Sequence, residues 1–248
     1  MRRCRLWLTK EEIKPELLHG NTVVVIDVLL ATTTLLTIME RGAKRVFPVE
    51  NKEDAVNLQA KLGDMAITGG EQRGRKIDGF SLGHLPKDFP PEVVANKDVI
   101  FLSTNGTRAI CRSANANTVL LANLRNAPTV AKYLNTIQDE DIYIVCSGAG
   151  GHFSLEDFLC ASIIISQLNL DNVKYNDAVQ LSLQQKFNSK NKVKSILEKT
   201  RVGRSSIKKG MQDLIDFTGD VGASELLVHV KDGELKELNS SLLNSMTK

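Results

Sequence analysis

The sequence predicts an α/β fold, a three-layer α/β/α sandwich around a largely parallel or mixed sheet. Three segments carry this reading: NTVVVIDVLLATTT, KDVIFLSTNGTRAI and EDIYIVCSGAGGHFSLED. Each runs from a continuous β-branched or apolar stretch into small, hydroxyl or glycine residues and then into a helix-like stretch. Continuous apolar runs suit strands covered on both faces, the habit of parallel sheets. Helical patterns lie between them, NKEDAVNLQAKLG with Gly63 as its end and NAPTVAKYLNTI with Pro128 at its start.

The remaining elements follow in order. MAITGGE reads as a fourth strand delivering Glu71 to a turn. From about Asn169 the chain is more polar, and QQKFNSKNKVKSILEKTRVGRSSIKK holds Phe187, Val193, Ile196 and Leu197 at roughly helical spacing. That spacing predicts a helix with a solvated basic face. ASELLVHVKDGELKEL predicts a strand, a turn at Asp232-Gly233 and a closing or edge strand, and the last residues, NSSLLNSMTK, read as loosely ordered. The chain reads as one domain over 1–248, with 165–180 as the place where a subdivision would fall.

Composition excludes more than it assigns. The 248 residues are 42% hydrophobic with a net charge of +3, far from the dense basic patterning of a nucleic-acid binder. No segment has the apolar length of a membrane helix, and MRRCRLWLTKEEIK is too soon interrupted for a signal peptide. Cys4, Cys111, Cys146 and Cys160 form no CxxC pair, so reduced thiols and a cytoplasmic protein are expected. The expected partner is a small anion rather than nucleic acid or membrane, and a homodimer is expected.

In open α/β sheets ligands bind beyond the carboxyl ends of the strands, where Asp27, Ser103 to Thr107 and Ser147 to Gly151 fall. Ser103, Thr104, Asn105 and Gly106 offer hydroxyls, an amide and backbone N–H groups suited to an oxyanion. Taken alone, they equally suit a capped helix start. Gly148, Gly150 and Gly151 permit a tight turn before Ser154, which can cap a helix through Asp157, a pairing that leaves Glu156 less explained.

Asp27 is the sharpest residue, because a carboxylate interrupting an apolar strand needs a cation or a helix to cap. With Glu71, Glu156 and Asp157 it makes an oxygen-rich set of the kind Mg2+ favours. The four histidines have no zinc spacing, and the P-loop, GxSxG and GxGxxG signatures are absent.

Taken together, IDVLLATTT, GGEQRGRKIDGFSLGHLP, STNGTRAI and CSGAGGHFSLED, in that order, resemble the 2-phosphosulfolactate phosphatase (ComB) family. The likeness is strong over the first 160 residues and continues through VGR and DLIDFTGDVGASELLVHV. It implies Mg2+-dependent hydrolysis of 2-phosphosulfolactate to sulfolactate and phosphate, a step of coenzyme M biosynthesis. By motif, it implies Asp27, Glu71 and Glu156 as catalytic acids and Asp27, Glu71 and Asp157 as metal ligands. Ser103, Thr104, Asn105 and Gly106, with Gly148, Gly150 and Gly151, would bind the substrate. Whether Asp27 is a nucleophile or a ligand is open at this level.

The chain departs from the family pattern at marked positions. DVLRATTT reads here with Leu30, GER with Gln72, and GFDLGNSP with Ser81, His84 and Leu85. Arg73, Arg75 or Lys76, which share one loop, are candidates to supply the missing positive charge. Two further readings stand beside the phosphatase: an impaired or redirected homologue that binds a small phosphorylated or sulfonated acid, and a phosphate or nucleotide binder without phosphatase ancestry.

Overall fold

The computed structural model describes residues 1–185 and 190–238. The first strands are β1 (Arg3–Trp7), β2 (Thr22–Ile26), β3 (Arg45–Val49) and β4 (Ile67–Gln72). The short β5 (Arg75–Lys76) follows, and then β6 (Asp98–Leu102), β7 (Thr118–Ala122), β8 (Ile142–Cys146) and β9 (Lys174–Tyr175). A hairpin closes the series, β10 (Val228–Lys231) and β11 (Glu234–Glu237). All join one mixed sheet in the order β5-β4-β6-β3-β11-β10-β7-β2-β8-β1-β9. Helices cover both faces, as the sequence predicts.

The hairpin sits in the middle of the sheet rather than closing an edge. β10 pairs antiparallel with β7 and β11 antiparallel with β3. The parallel stack β4-β6-β3 therefore runs opposite to the parallel stack β7-β2-β8-β1-β9. Two stacks of opposite sense leave unpaired N–H and C=O rows on β3 and β7, which an antiparallel hairpin satisfies together. Its turn is the expected Asp232-Gly233, at φ 54° and 76°, the two positive values a two-residue hairpin turn requires.

Side chains alternate along the strands. Val23 and Val25 of β2 join Val99 and Phe101 of β6 in one apolar cluster, which also takes Leu35 and Leu36 of the helix Ala31–Glu40 and Ile110 of the helix Gly106–Arg112. Both stacks thus turn one face onto these two helices. Val24 and Ile26 point the other way, to the helices Ala127–Leu134 and Leu155–Ile165. Ile100 and Leu102 pack against the helix Lys52–Leu62. At about 25 cal/mol per Å² of apolar surface, burying each such side chain contributes roughly 1.5–3 kcal/mol.

One expectation changes. The basic stretch is not a single helix: Lys190–Lys199 and Arg201–Lys208 are separate helices broken at Thr200, followed by Gln212–Thr218. Thr200 caps the second, its Oγ1 accepting from Gly203 N at 3.0 Å. Phe187 and the tail 239–248 lie outside the described residues. No disulfide joins the four cysteines, and among the described residues no helix is long and apolar enough to cross a membrane.

Candidate active site

A cleft of about 910 Å³ opens at the ends of β2, β6 and β8. Asp27, Glu71, Glu156 and Asp157 all line it, so residues up to 130 apart in sequence are brought together as the motifs suggest. Ser103, Thr104, Asn105, Gly148 and Gly150 line it as well. Gly106 is packed behind Asp27, and Gly151 lies beside Glu11.

The threonine run after Asp27 builds the turn. Asp27 N donates to Thr32 Oγ1 at 3.0 Å, and that hydroxyl donates to Asp27 O at 2.8 Å. The second stack repeats the device: Ser103 N donates to Thr107 Oγ1 at 2.9 Å, and Thr107 Oγ1 donates to Ser103 O at 3.0 Å. Thr33 and Thr34 donate to the carbonyls of Val28 and His84. Helices therefore start directly at the strand ends, with their N-termini at the cleft.

The side chain of Asp27 is buried between those two helix starts. Burial pushes its pKa up to about 7, and the nearby charges of Glu71 and Glu156 push the same way, while the backbone N–H groups of Ala31 and Gly106 pull it down. The fit is tight: a methyl on Gly106 would lie 2.5 Å from Ala31 Cβ and 2.7 Å from Asp27 Oδ2.

Asp157 and Glu71 hold loops. Asp157 accepts from Val28 N at 2.9 Å and from Gly148 N at 3.1 Å, one bond per oxygen. Its own N–H donates to Ser154 Oγ at 3.3 Å, the cap that the sequence suggests. Burial, then the charges of Asp27 and Glu156, raise its pKa well above the carboxylate range. Glu71 lies inside β4 rather than in the turn beyond it. It accepts from Thr104 N at 2.6 Å, Thr104 Oγ1 at 2.9 Å and Gly74 N at 2.6 Å.

Glu156 is buried beside the hydroxyls of Ser154 and Thr200. Burial raises its pKa, and the charge of Arg201 opposes that shift. Asn105 joins the two glycine-bearing loops, its Oδ1 accepting from Gly150 N at 3.2 Å and from the buried Lys10 Nζ at 2.9 Å. Among the described residues no group of three or more His, Cys, Asp or Glu side chains is placed to hold a metal ion.

Of the positions that depart from the family pattern, Leu30, His84 and Leu85 line the cleft, whereas Gln72 and Ser81 do not. Of the suggested replacement cations, Arg73 and Arg75 line it, whereas Lys76 Nζ donates to Ser81 O at 2.9 Å. Sequence reasoning missed Lys10, which has no motif, and also Arg201 and Lys209, which line the cleft although the basic helix reads as solvated.

Buried acids facing hydroxyl and amide loops at converging strand ends are the equipment of an α/β phosphatase. Residues 7–233 match the family model described as 2-phosphosulpholactate phosphatase, and the chain belongs to that family. A Clostridium perfringens (strain SM101 / Type A) protein called "Probable 2-phosphosulfolactate phosphatase" is 31% identical over 238 residues, 95% of this chain and 96% of its own length. Proteins of the same description from Symbiobacterium thermophilum and Caldanaerobacter subterraneus are 33% and 40% identical, over 89% and 64% of this chain and 95% and 66% of their own lengths.

Proposed function

We propose that the protein is a Mg2+-dependent phosphatase that hydrolyses 2-phosphosulfolactate to sulfolactate and phosphate. The observation that carries this is the burial of Asp27 at two helix starts in a cleft that Glu156 also lines. Burial, and after it the charges of the neighbouring carboxylates, hold Asp27 and Asp157 above the ordinary carboxylate range. A divalent cation offsets those charges, so the donor set fits Mg2+, which takes one or two carboxylates and completes its shell with water and substrate phosphate.

Asp27 and Glu156 would hold the cation, while Asp157 and Glu71 accept from loop donors with both their oxygens. When bound, Mg2+ supplies Lewis-acid polarisation of a phosphoryl oxygen. The chain's own residues orient the ester. Lys10 and Gly150 fix the Asn105 amide by its Oδ1, which turns Nδ2 away from that pair as a donor for a phosphoryl oxygen. Glu71 and Asp157 keep the two loops at fixed separation, and such positioning supplies much of the rate in phosphoryl transfer.

The test is phosphate release by purified protein and by Asp27→Asn. Loss of about 10²-fold or more in kcat, the scale of removing one preorganised electrostatic group, is expected; a fully active Asp27→Asn protein would refute the assignment. Leu30 and Leu85 in the cleft wall favour a second reading, a redirected substrate choice. A panel of phosphorylated hydroxy acids decides between the two.

A further inference from the structure

The loops that suggest anion binding have committed most of their donors to the chain's own acids. Gly106 N serves Asp27, Thr104 N serves Glu71 and Gly148 N serves Asp157. Gly150 N serves Asn105. A substrate bearing a carboxylate and a sulfonate besides its phosphate needs charge from elsewhere in the cleft.

The helix Arg201–Lys208 supplies it. Arg201, Ser205 and Lys209 follow one another at intervals of four, which stacks them along one side of the helix. All three line the cleft and all three are solvent-exposed. Arg201 lies close enough to Glu156, and Lys209 close enough to His84, for each charge to act on that group.

The helix is held firmly in this pose. A methyl on Gly203 would lie 1.8 Å from Leu197 O, so glycine is what lets the two basic helices touch. Lys194 pairs with Asp216 at 3.1 Å, which ties the first of these helices to Gln212–Thr218. The Arg125 guanidinium lies 4.0 Å from the Phe217 ring centroid, fastening that third helix to the body.

We propose that Arg201, Ser205 and Lys209 form the subsite for the non-transferred anions of the substrate, its carboxylate and sulfonate. This rests on the substrate named above. Arg201 offers a fork suited to bidentate pairing, Lys209 a point charge, and Ser205 a neutral donor between them.

The experiment compares kcat/KM for 2-phosphosulfolactate and for p-nitrophenyl phosphate, which has no second anion, in wild type, Lys209→Gln and Lys209→Arg. Lys209→Gln is expected to lose about 10- to 100-fold more on 2-phosphosulfolactate than on p-nitrophenyl phosphate, mainly through KM, with partial rescue by Lys209→Arg. Equal losses on both compounds, or none, overturn the subsite.

Sulfolactate binding, measured by calorimetry, separates this inference from the proposed reaction. If wild type releases phosphate from neither compound, the reaction fails, yet sulfolactate binding weakened by Lys209→Gln still upholds the subsite. Folded wild-type protein that does not bind sulfolactate overturns it.

Discussion

The carboxylate of Asp27 and the backbone of Gly106 meet at the ends of strands from oppositely running halves of the sheet, with a Gly106 methyl position only 2.7 Å from Asp27 Oδ2. Gly106 lies in a helix, so its value here is space rather than an unusual backbone angle. Gly106→Ala should force the two helix starts apart. A destabilisation of about 1–3 kcal/mol is expected in urea unfolding. An approximately 10²-fold fall in turnover should accompany it, the cost of an ångström-scale misplacement. Wild-type turnover in this variant would show that the close approach is unimportant.

Asp27 also sets a pH dependence. Its folded pKa, about 7, lies above the ordinary aspartate value of about 4, so the folded state binds more protons than the unfolded chain between those values. Stability of the metal-free protein therefore falls as pH rises through that window. The upward shifts of Asp157 and Glu156 act in the same direction. On the proposed reading, Mg2+ would bind the ionised carboxylates and should raise Tm more at pH 8 than at pH 5. Thermal melts with and without Mg2+ check this; a larger Mg2+ effect at pH 5 would contradict it.

Glu71 should behave as a loop holder. Glu71→Gln keeps an oxygen that can accept from Thr104 or Gly74, whereas Glu71→Ala leaves those donors to find other partners. The alanine variant should lose about 1–3 kcal/mol of stability and the glutamine variant less. The half-saturating Mg2+ concentration should stay within about twofold in Glu71→Gln. A tenfold increase, equal to about 1.4 kcal/mol, would place Glu71 among the metal ligands.

Gly203→Ala tests the helix contact beneath the cationic face. Its methyl would meet the Leu197 carbonyl at 1.8 Å, a backbone atom with little freedom to move. A loss of about 1–3 kcal/mol in stability is expected, with a raised KM as Arg201 and Lys209 shift. Unchanged stability and KM would show that the helices reseat without cost.

How much of this the sequence shows depends on the range of the contacts involved. The strands β2, β6 and β8 are legible because both faces are covered and their runs are apolar throughout. β1 is not, since Arg3 and Arg5 alternate with the buried Cys4 and Leu6. The Asp232-Gly233 turn is local chemistry and reads directly, whereas the hairpin's central place depends on pairing with β3 and β7.

Asp27 stands out as a charge in an apolar run. The duties of Asp157 and Glu71 depend on partners far away in sequence, Val28 and Thr104, which no spacing displays. Helical spacing in the basic stretch shows a polar face without showing that part of it looks into the cleft.

The most direct measurement is phosphate release from 2-phosphosulfolactate by metal-stripped protein, with and without added Mg2+. Release that appears on adding Mg2+ and is lost in Asp27→Asn is the predicted result. Equal release without metal, or none from folded protein with Mg2+ present, would contradict the account.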